Sequence, residues 1–337
     1  MRLVRGNEVC EVLLEGLLVR EGDSARKYVT IDHARRAYDK AVAARLAAGY
    51  VIAPDVHADL DARAVLGDEL MDRGDPRGEL IGLASNPEAF AAKLDKHHDA
   101  LFGPLASAVR RPSRGERSKA PIEVVWKAGF ADEVRGSITP DLYKQLRELP
   151  IAQTITKIVA GDPGVGGSYV PLTNAMLRYG VPPKLHALAL GNNGAKLFGG
   201  DLCRLLQSIP ELVELDLDLA SGTFAPVTIP TLRRLVLHQI DPMPVFASTF
   251  ASLAELELRA VPYGARFLEH LGRSAIVKTL DKLVVWRSNL EDPSLLALAM
   301  HARRYAHLTS IDLPGNRFST KAYLEAREDL PMLTKPT

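Results

Sequence analysis

The hexapeptide LVELDL, Leu212 to Leu217, decides how this chain is read. Leucines stand at its first, fourth and sixth places, and acids at two of the places between. Alternation over its last four residues is the period of a strand with one buried face. The same spacing recurs as LHALAL (185–190), LRRLVL (232–237), LAELEL (253–258), LDKLVV (280–285) and LTSIDL (308–313). ITKIVA (155–160) is a weaker earlier copy, and ADEVRG (131–136) is a degenerate candidate for the first. From residue 155 onward the copies start 30, 27, 20, 21, 27 and 28 residues apart. Such a period marks a stacked array, because one strand and its connector cannot bury their own apolar face.

Stacking buries the leucines in a continuous core and leaves a parallel sheet. With strands ~4.8 Å apart, the copies make a wall on the order of 35 Å long, suited to a protein or peptide partner. The long steps hold helix-like stretches such as GDLCRLLQSIP (200–210) and DPSLLALAMHARRYA (292–306). The short steps, around IPTLRRL and FASTFASL, fit a turn or brief 3-10 segment. The pattern resembles the leucine-rich repeat, whose ninth-position asparagine is present as Asn193 and Asn316. That resemblance implies an α/β fold over 122–335, a horseshoe-shaped parallel β solenoid with helical connectors. Its two ends need covering. The helical stretch 55–105 and IEVVWKAGF (122–130) are candidates for one end, and TKAYLEAREDLPML (320–333) for the other.

Leucines that point inward leave the third, fifth and seventh positions of each copy on the opposite face. Those positions hold Glu214, Asp216 and Asp218, then Arg234, Val236 and His238. Next come Glu255, Glu257 and Arg259, and then Lys282, Val284 and Trp286. An outward tryptophan among charged neighbours has the composition of an interface hot spot. The competing reading is that the opposite charges satisfy one another laterally across strands. The favoured function is a non-enzymatic scaffold that binds a protein or peptide on this face. The alternative is a nucleic-acid-associated accessory protein acting through residues 1–54 and the basic stretch 106–121.

Residues 1–54 read as short strands followed by a helix. EVCEVLL (8–14), LLVRE (17–21) and ARKYVTI (25–31) are separated by Gly16 and Gly22-Asp23. A helix then starts with Asp32 as N-cap and carries Ala34, Ala37, Tyr38, Ala41, Val42 and Leu46 at helical spacing, with Gly49 at its end. LLEG (13–16) and YDKAVAARLAAGYV (38–51) resemble a WGR domain, a small β-sheet-plus-helix module. The Trp-Gly-Arg triplet that names the family is absent, and VREGDSARKY stands in its place. The family's DNA contacts that involve that Trp and Arg are therefore not carried over.

Residues 55–105 read as three helices. Leu60, Ala64, Leu66, Leu70 and Met71 fall near one face of the first, and Gly74 stops it. Asp75-Pro76 and Asn86-Pro87 are N-cap and first-turn signals for the next two. Asp61, Arg63 through Leu66, Asp68, Leu70 and RGDPRGELI (73–81) are similar to the repeat-companion domain found beside bacterial repeat proteins. In that stretch Arg73, Gly74, Asp75, Pro76, Arg77, Gly78 and Glu79 are read as structural: the arginines and Glu79 tie helices together, and Leu80 and Ile81 face a core. Residues 106–121 read as a basic linker, with five basic residues against Glu116 in RRPSRGERSKAP (110–121).

The 337 residues carry 42 basic and 41 acidic side chains, a balance without a global pull toward nucleic acid or an anionic membrane. Two distant cysteines, Cys10 and Cys203, form no disulfide framework. With no signal-like or membrane-spanning run, the expected compartment is the cytoplasm. No catalytic, cofactor or metal site is legible. GDPGVGGS (161–168) lacks the lysine a phosphate loop requires. His97 and His98 are neighbours about 100° apart on a helix, not the i, i+4 pair of a zinc helix, and are read as a solvated face. Cys203 is read as a small buried hydrophobe.

Overall fold

The computed structural model describes residues 2–5, 8–15, 17–21, 24–48, 50–52, 60–113, 120–161, 167–191, 202–219, 225–261 and 265–334. Its N-terminal part holds β1 (Arg2–Arg5), β2 (Glu8–Glu15), β3 (Leu18–Glu21), β4 (Ser24–Lys27), α1 (Ile31–Ala47) and β5 (Val51–Ile52). Then come α2 (Leu60–Asp72), α3 (Pro76–Gly82), α4 (Pro87–Phe102), β6 (Ile122–Lys127), β7 (Phe130–Gly136) and α5 (Pro140–Glu148). The rest is β8 (Lys157–Ala160), α6 (Val170–Tyr179), β9 (Ala187–Gly191), α7 (Leu202–Gln207), β10 (Glu214–Asp218), β11 (Arg234–His238), α8 (Met243–Phe246) and β12 (Glu255–Arg259). It continues with α9 (Ala265–Arg273), β13 (Lys282–Trp286), α10 (Asp292–Ala299), α11 (Ala302–Tyr305), β14 (Ser310–Asp312) and α12 (Thr320–Asp329). Two sheets form, one ordered β4-β3-β2-β1-β5 and the other running β14 to β6 in sequence order. The chain is thus a mixed α/β protein with a nine-stranded, mostly parallel sheet. It divides into two compact units.

The first unit comprises 1–135, 141–156 and 179–184. Its small antiparallel sheet gives Cys10, Val12 and Val19 to a core shared with Ala34, Val42, Tyr50, Leu70, Ile81 and Phe130. Thr30, not Asp32, supports the start of α1, since its Oγ1 accepts from His33 N at 3.3 Å and its carbonyl from Ala34 N. Gly49 lies outside the described residues. On α2 the buried face carries Gly67 and Leu70, while Met71 and Val65 are exposed. That face is narrower than the apolar spacing predicts, because α3 approaches α2 through glycine.

RGDPRGELI is a helix junction. Gly74 takes φ +71°, the left-handed conformation that ends α2. Asp75 caps α3 by accepting from Arg77 N at 3.0 Å, and its carboxylate also holds the Arg77 guanidinium at 2.6 Å. Burial works to raise the Asp75 pKa, but the hydrogen bonds and charge of Arg77 outweigh it, and the net shift is downward. A Cβ on Gly78 would lie 2.5 Å from Gly67 O and 2.6 Å from Met71 N. Leu80 and Ile81 are buried, and Glu79 pairs with Lys93 and His97 of α4. β6 and β7 are joined at Ala128-Gly129, φ 50° and 84°, the geometry of a type I′ hairpin. A Cβ on Gly129 would sit 2.5 Å from Ile81 Cα, so the hairpin tip is seated on α3.

His98 departs from the expected solvated face. It is fully buried and 4.8 Å from the Phe102 ring, with Asp99 Oδ1 3.5 Å from its Nδ1. Trp126 of β6 packs edge-on against Phe102 and Phe90, so this side of α4 lies under the sheet rather than in water.

The second unit comprises 136–140, 157–178 and 185–337. β8 to β14 pair in parallel, one residue against one. The motif leucines Leu188, Leu215, Leu235, Leu256, Leu283 and Ile311 are in one register line and buried. Strands β11 to β14 leave the sheet by a recurring turn. The residue at position eight is left-handed in four successive copies: Gln239 (φ 59°), Ala260 (47°), Arg287 (48°) and Gly315 (68°). Position nine then turns inward. Asn316 Oδ1 accepts from Ser288 N and Leu290 N, and its Nδ2 donates to Val285 O and Leu313 O. Ser288 does similar work one copy earlier, accepting from Val261 N. Asn193 lies outside the described residues. Cys203 is half-buried rather than enclosed, its Sγ engaged with the Ala225 backbone. At the far edge, Ile311 N donates to Met332 O and Thr334 N donates to Ile311 O, so residues 332–334 pair with β14.

Candidate functional site

The one-to-one register turns the positions opposite the leucines into three columns. The third-position column reads Glu214, Arg234, Glu255, Lys282. The fifth reads Ala189, Asp216, Val236, Glu257, Val284, Asp312. The seventh reads Gly191, Asp218, His238, Arg259, Trp286. All of the outward positions read from the sequence therefore lie on one face. Val236 is fully buried there, being the shortest side chain in register between Asp216 and Glu257.

Much of the charge is satisfied laterally. Arg234 lies 3.4 Å from both Glu255 and Glu257, and Arg259 Nε donates to Glu257 Oε1 at 2.7 Å. His238 Nδ1 is 2.8 Å from Asp218 Oδ1, and Lys282 is 3.8 Å from Asp312. The half-exposed pairs among these, Arg234–Glu255 and Lys282–Asp312, stabilise by only ~0.2–1 kcal/mol each, while His238–Asp218 is mostly buried. The bond to Glu257 raises the Arg259 pKa, so that guanidinium is held charged and in place. Trp286 is half-buried, with the Arg287 guanidinium 4.6 Å over its ring.

Asp216 is the exception. No hydrogen bond or ion pair within contact distance reaches it from the described residues. Burial pushes its pKa up, and the positive charges of Arg259 and Arg234 only partly offset this. It opens into a cavity of about 240 Å³ that it shares with Asp218, His238 and Arg259. The cavity's other lining residues are Val159, Ala189, Leu190 and Gly191, so small side chains stand opposite the charged ones. Gly191 is required there, since a Cβ on it would overlap the Asp218 side chain.

Sequence reasoning found the acids and missed the cavity. The available signal was the run of small residues in the two preceding copies, Val159 and Ala189 at position five and Gly161 and Gly191 at position seven. The basic stretch is described only in part. Arg111 binds Asp99 at 2.5 Å, and Arg110 lies 3.7 Å from Glu123. The flanks of GDPGVGGS are described and its centre is not. Among the described residues no group of three or more His, Cys, Asp or Glu side chains is placed to hold a metal, and no helix is long and apolar enough to cross a membrane.

Fold and face together define an α/β protein whose parallel sheet presents an ordered, mixed-charge surface with a small cleft. The chain matches no protein-family model and no curated protein. A crystal structure of a Bacteroides fragilis protein is similar over 99% of this chain and 95% of that one, at 14% identity and a TM-score of 0.42. At that distance the likeness bears on neither fold nor function.

Proposed function

We propose that the chain is a non-enzymatic, cytoplasmic interaction scaffold. In this reading the second unit is a leucine-rich-repeat array of solenoid form, and the face opposite its leucines binds a protein or peptide. The N-terminal residues serve as a degenerate WGR-like module followed by a repeat-companion segment. The observation that carries the reading is the register. Strands β10 to β13 align three columns rich in charged side chains, with Trp286 at the end of one, over a contiguous face, and the exposed lateral pairs among them add little to stability.

The deciding experiment is affinity capture from native lysate with mass spectrometry, run with the intact chain and with a face variant. The variant carries Glu214→Lys, Asp216→Lys, Arg234→Glu, Glu257→Lys and Trp286→Ala. Loss of a reproducible partner, with circular dichroism unchanged, is the expected result. A partner set that is identical for both chains rules the face out.

A further inference from the structure

The inference that follows rests on the docking face just described, and it names what enters the cleft. Three of the cleft's polar groups are already committed. Asp218 faces His238 at 2.8 Å and fills the space beside Gly191, and Arg259 is bound to Glu257. That leaves Asp216, a carboxylate drawn partly out of water with no hydrogen-bond donor among the described residues. Such a half-buried carboxylate, without a donor from the described residues, gains from a charged donor that a partner brings.

The chemistry of that donor is constrained on each side. An anion would meet Glu214, Asp216 and Asp218 on one strand, and the two nearest arginines are tied to Glu257. A metal ion lacks a third placed ligand among the described residues. A purely apolar group would leave Asp216 dry and unpaired. A long side chain with an apolar stem and a cationic head meets both walls, as lysine and arginine do when their stems lie on apolar surface and their heads reach polar ground. The cavity, about 240 Å³, has room for a single side chain of that kind.

We propose that the cleft receives a lysine or arginine side chain of a protein partner, its cationic head on Asp216 and its stem against Ala189 and Val159. The partner is thus a chain that presents a basic residue from an exposed segment, and the acidic strand β10 selects it by charge.

The test uses the intact, ¹⁵N-labelled chain and capped pentapeptides Ala-Ala-X-Ala-Ala, with X arginine, lysine, citrulline or glutamate. The arginine and lysine peptides are expected to shift the amides of Ala189, Leu190, Asp216 and Asp218. Apparent affinity should fall about tenfold or more for citrulline, which keeps the shape and loses the charge, and to a similar degree in Asp216→Asn. Raising the salt should weaken the cationic peptides. Ala189→Leu, which fills the cleft and leaves every charge in place, should abolish binding and serves if Asp216→Asn is misfolded. The proposal is overturned if the cationic peptides leave those amides unmoved, if citrulline or glutamate binds equally well, or if the folded variants bind as the parent does. A failed peptide titration beside lysate capture that still depends on Arg234 and Trp286 removes the cleft and keeps the face. Cationic peptides bound at the cleft, with capture indifferent to every face variant, keep the cleft and remove the scaffold reading.

Discussion

Asp216 and His98 are ionisable side chains that burial disfavours in their charged forms, and each leaves a measurable mark on stability. For Asp216 the folded pKa lies above its unfolded value. Its charge therefore opposes folding at neutral pH, and the penalty vanishes as pH falls through the folded value. Asp216→Asn is expected to raise the melting temperature at pH 7 by about 1–3 °C and to leave it unchanged near pH 3. A binding carboxylate that costs stability is what a docking role would produce, whereas a carboxylate kept for structure would give a loss on substitution. His98 has the opposite sign. Its folded pKa lies below the unfolded value, chiefly from burial and then from the nearby Arg111 charge. Below about pH 6.5 the unfolded chain takes up a proton that the folded chain refuses, so stability falls as pH falls. Chemical denaturation between pH 7.5 and 5 should lose as much as ~1.4 kcal/mol per pH unit from this group. In His98→Leu that part of the slope should be gone. An unaltered slope in the variant assigns the pH dependence to other groups.

At the scale of the element, close backbone approach decides what charge does not. The α2–α3 junction was legible from Gly74, Asp75 and Pro76, because caps and stop signals act through local dihedral and hydrogen-bond preferences. The reason for Gly78 was not legible, since its demand comes from the Gly67 carbonyl and the Met71 amide, eleven and seven positions earlier. Gly78→Ala must push α3 off α2 or break the α2 backbone geometry, and it should cost about 2–3 kcal/mol in urea unfolding. Gly74→Ala meets no atom within 4 Å and is charged only for its left-handed φ, about 1–2 kcal/mol. If the two costs prove equal, the packing account of Gly78 is wrong. The strands divide in the same way. Six copies of the leucine spacing each coincide with a strand, because alternation is a local signal. The burial of Val236 and of His98 was hidden, because it depends on the length of neighbours that only register and tertiary packing supply.

For the molecule as a whole, the question with consequence is whether the second unit behaves as an array or as one cooperative domain. In an array each copy leans on its neighbours, so stability is a sum of local terms and loss spreads from an exposed end. Residues 320–334 lie against such an edge. Leu330, Leu333, Tyr323 and Ala326 are buried, and residues 332–334 supply backbone partners for Ile311 on the outer strand β14. Deleting 319–337 exposes that strand's edge together with apolar surface worth on the order of 5 kcal/mol, an upper figure given residual structure in the unfolded chain. It also removes the Ser319 hydrogen bonds to Asp292, which pull the Asp292 pKa down and tie α12 to the start of α10. Hydrogen exchange on the shortened chain should show protection lost first in β14, next in β13, and retained in β9 and β10. Even loss across all seven parallel strands would mean one cooperative sheet, and the repeat-array reading would fall with it. No change at β14 would mean that the terminal segment leaves the edge uncovered in solution.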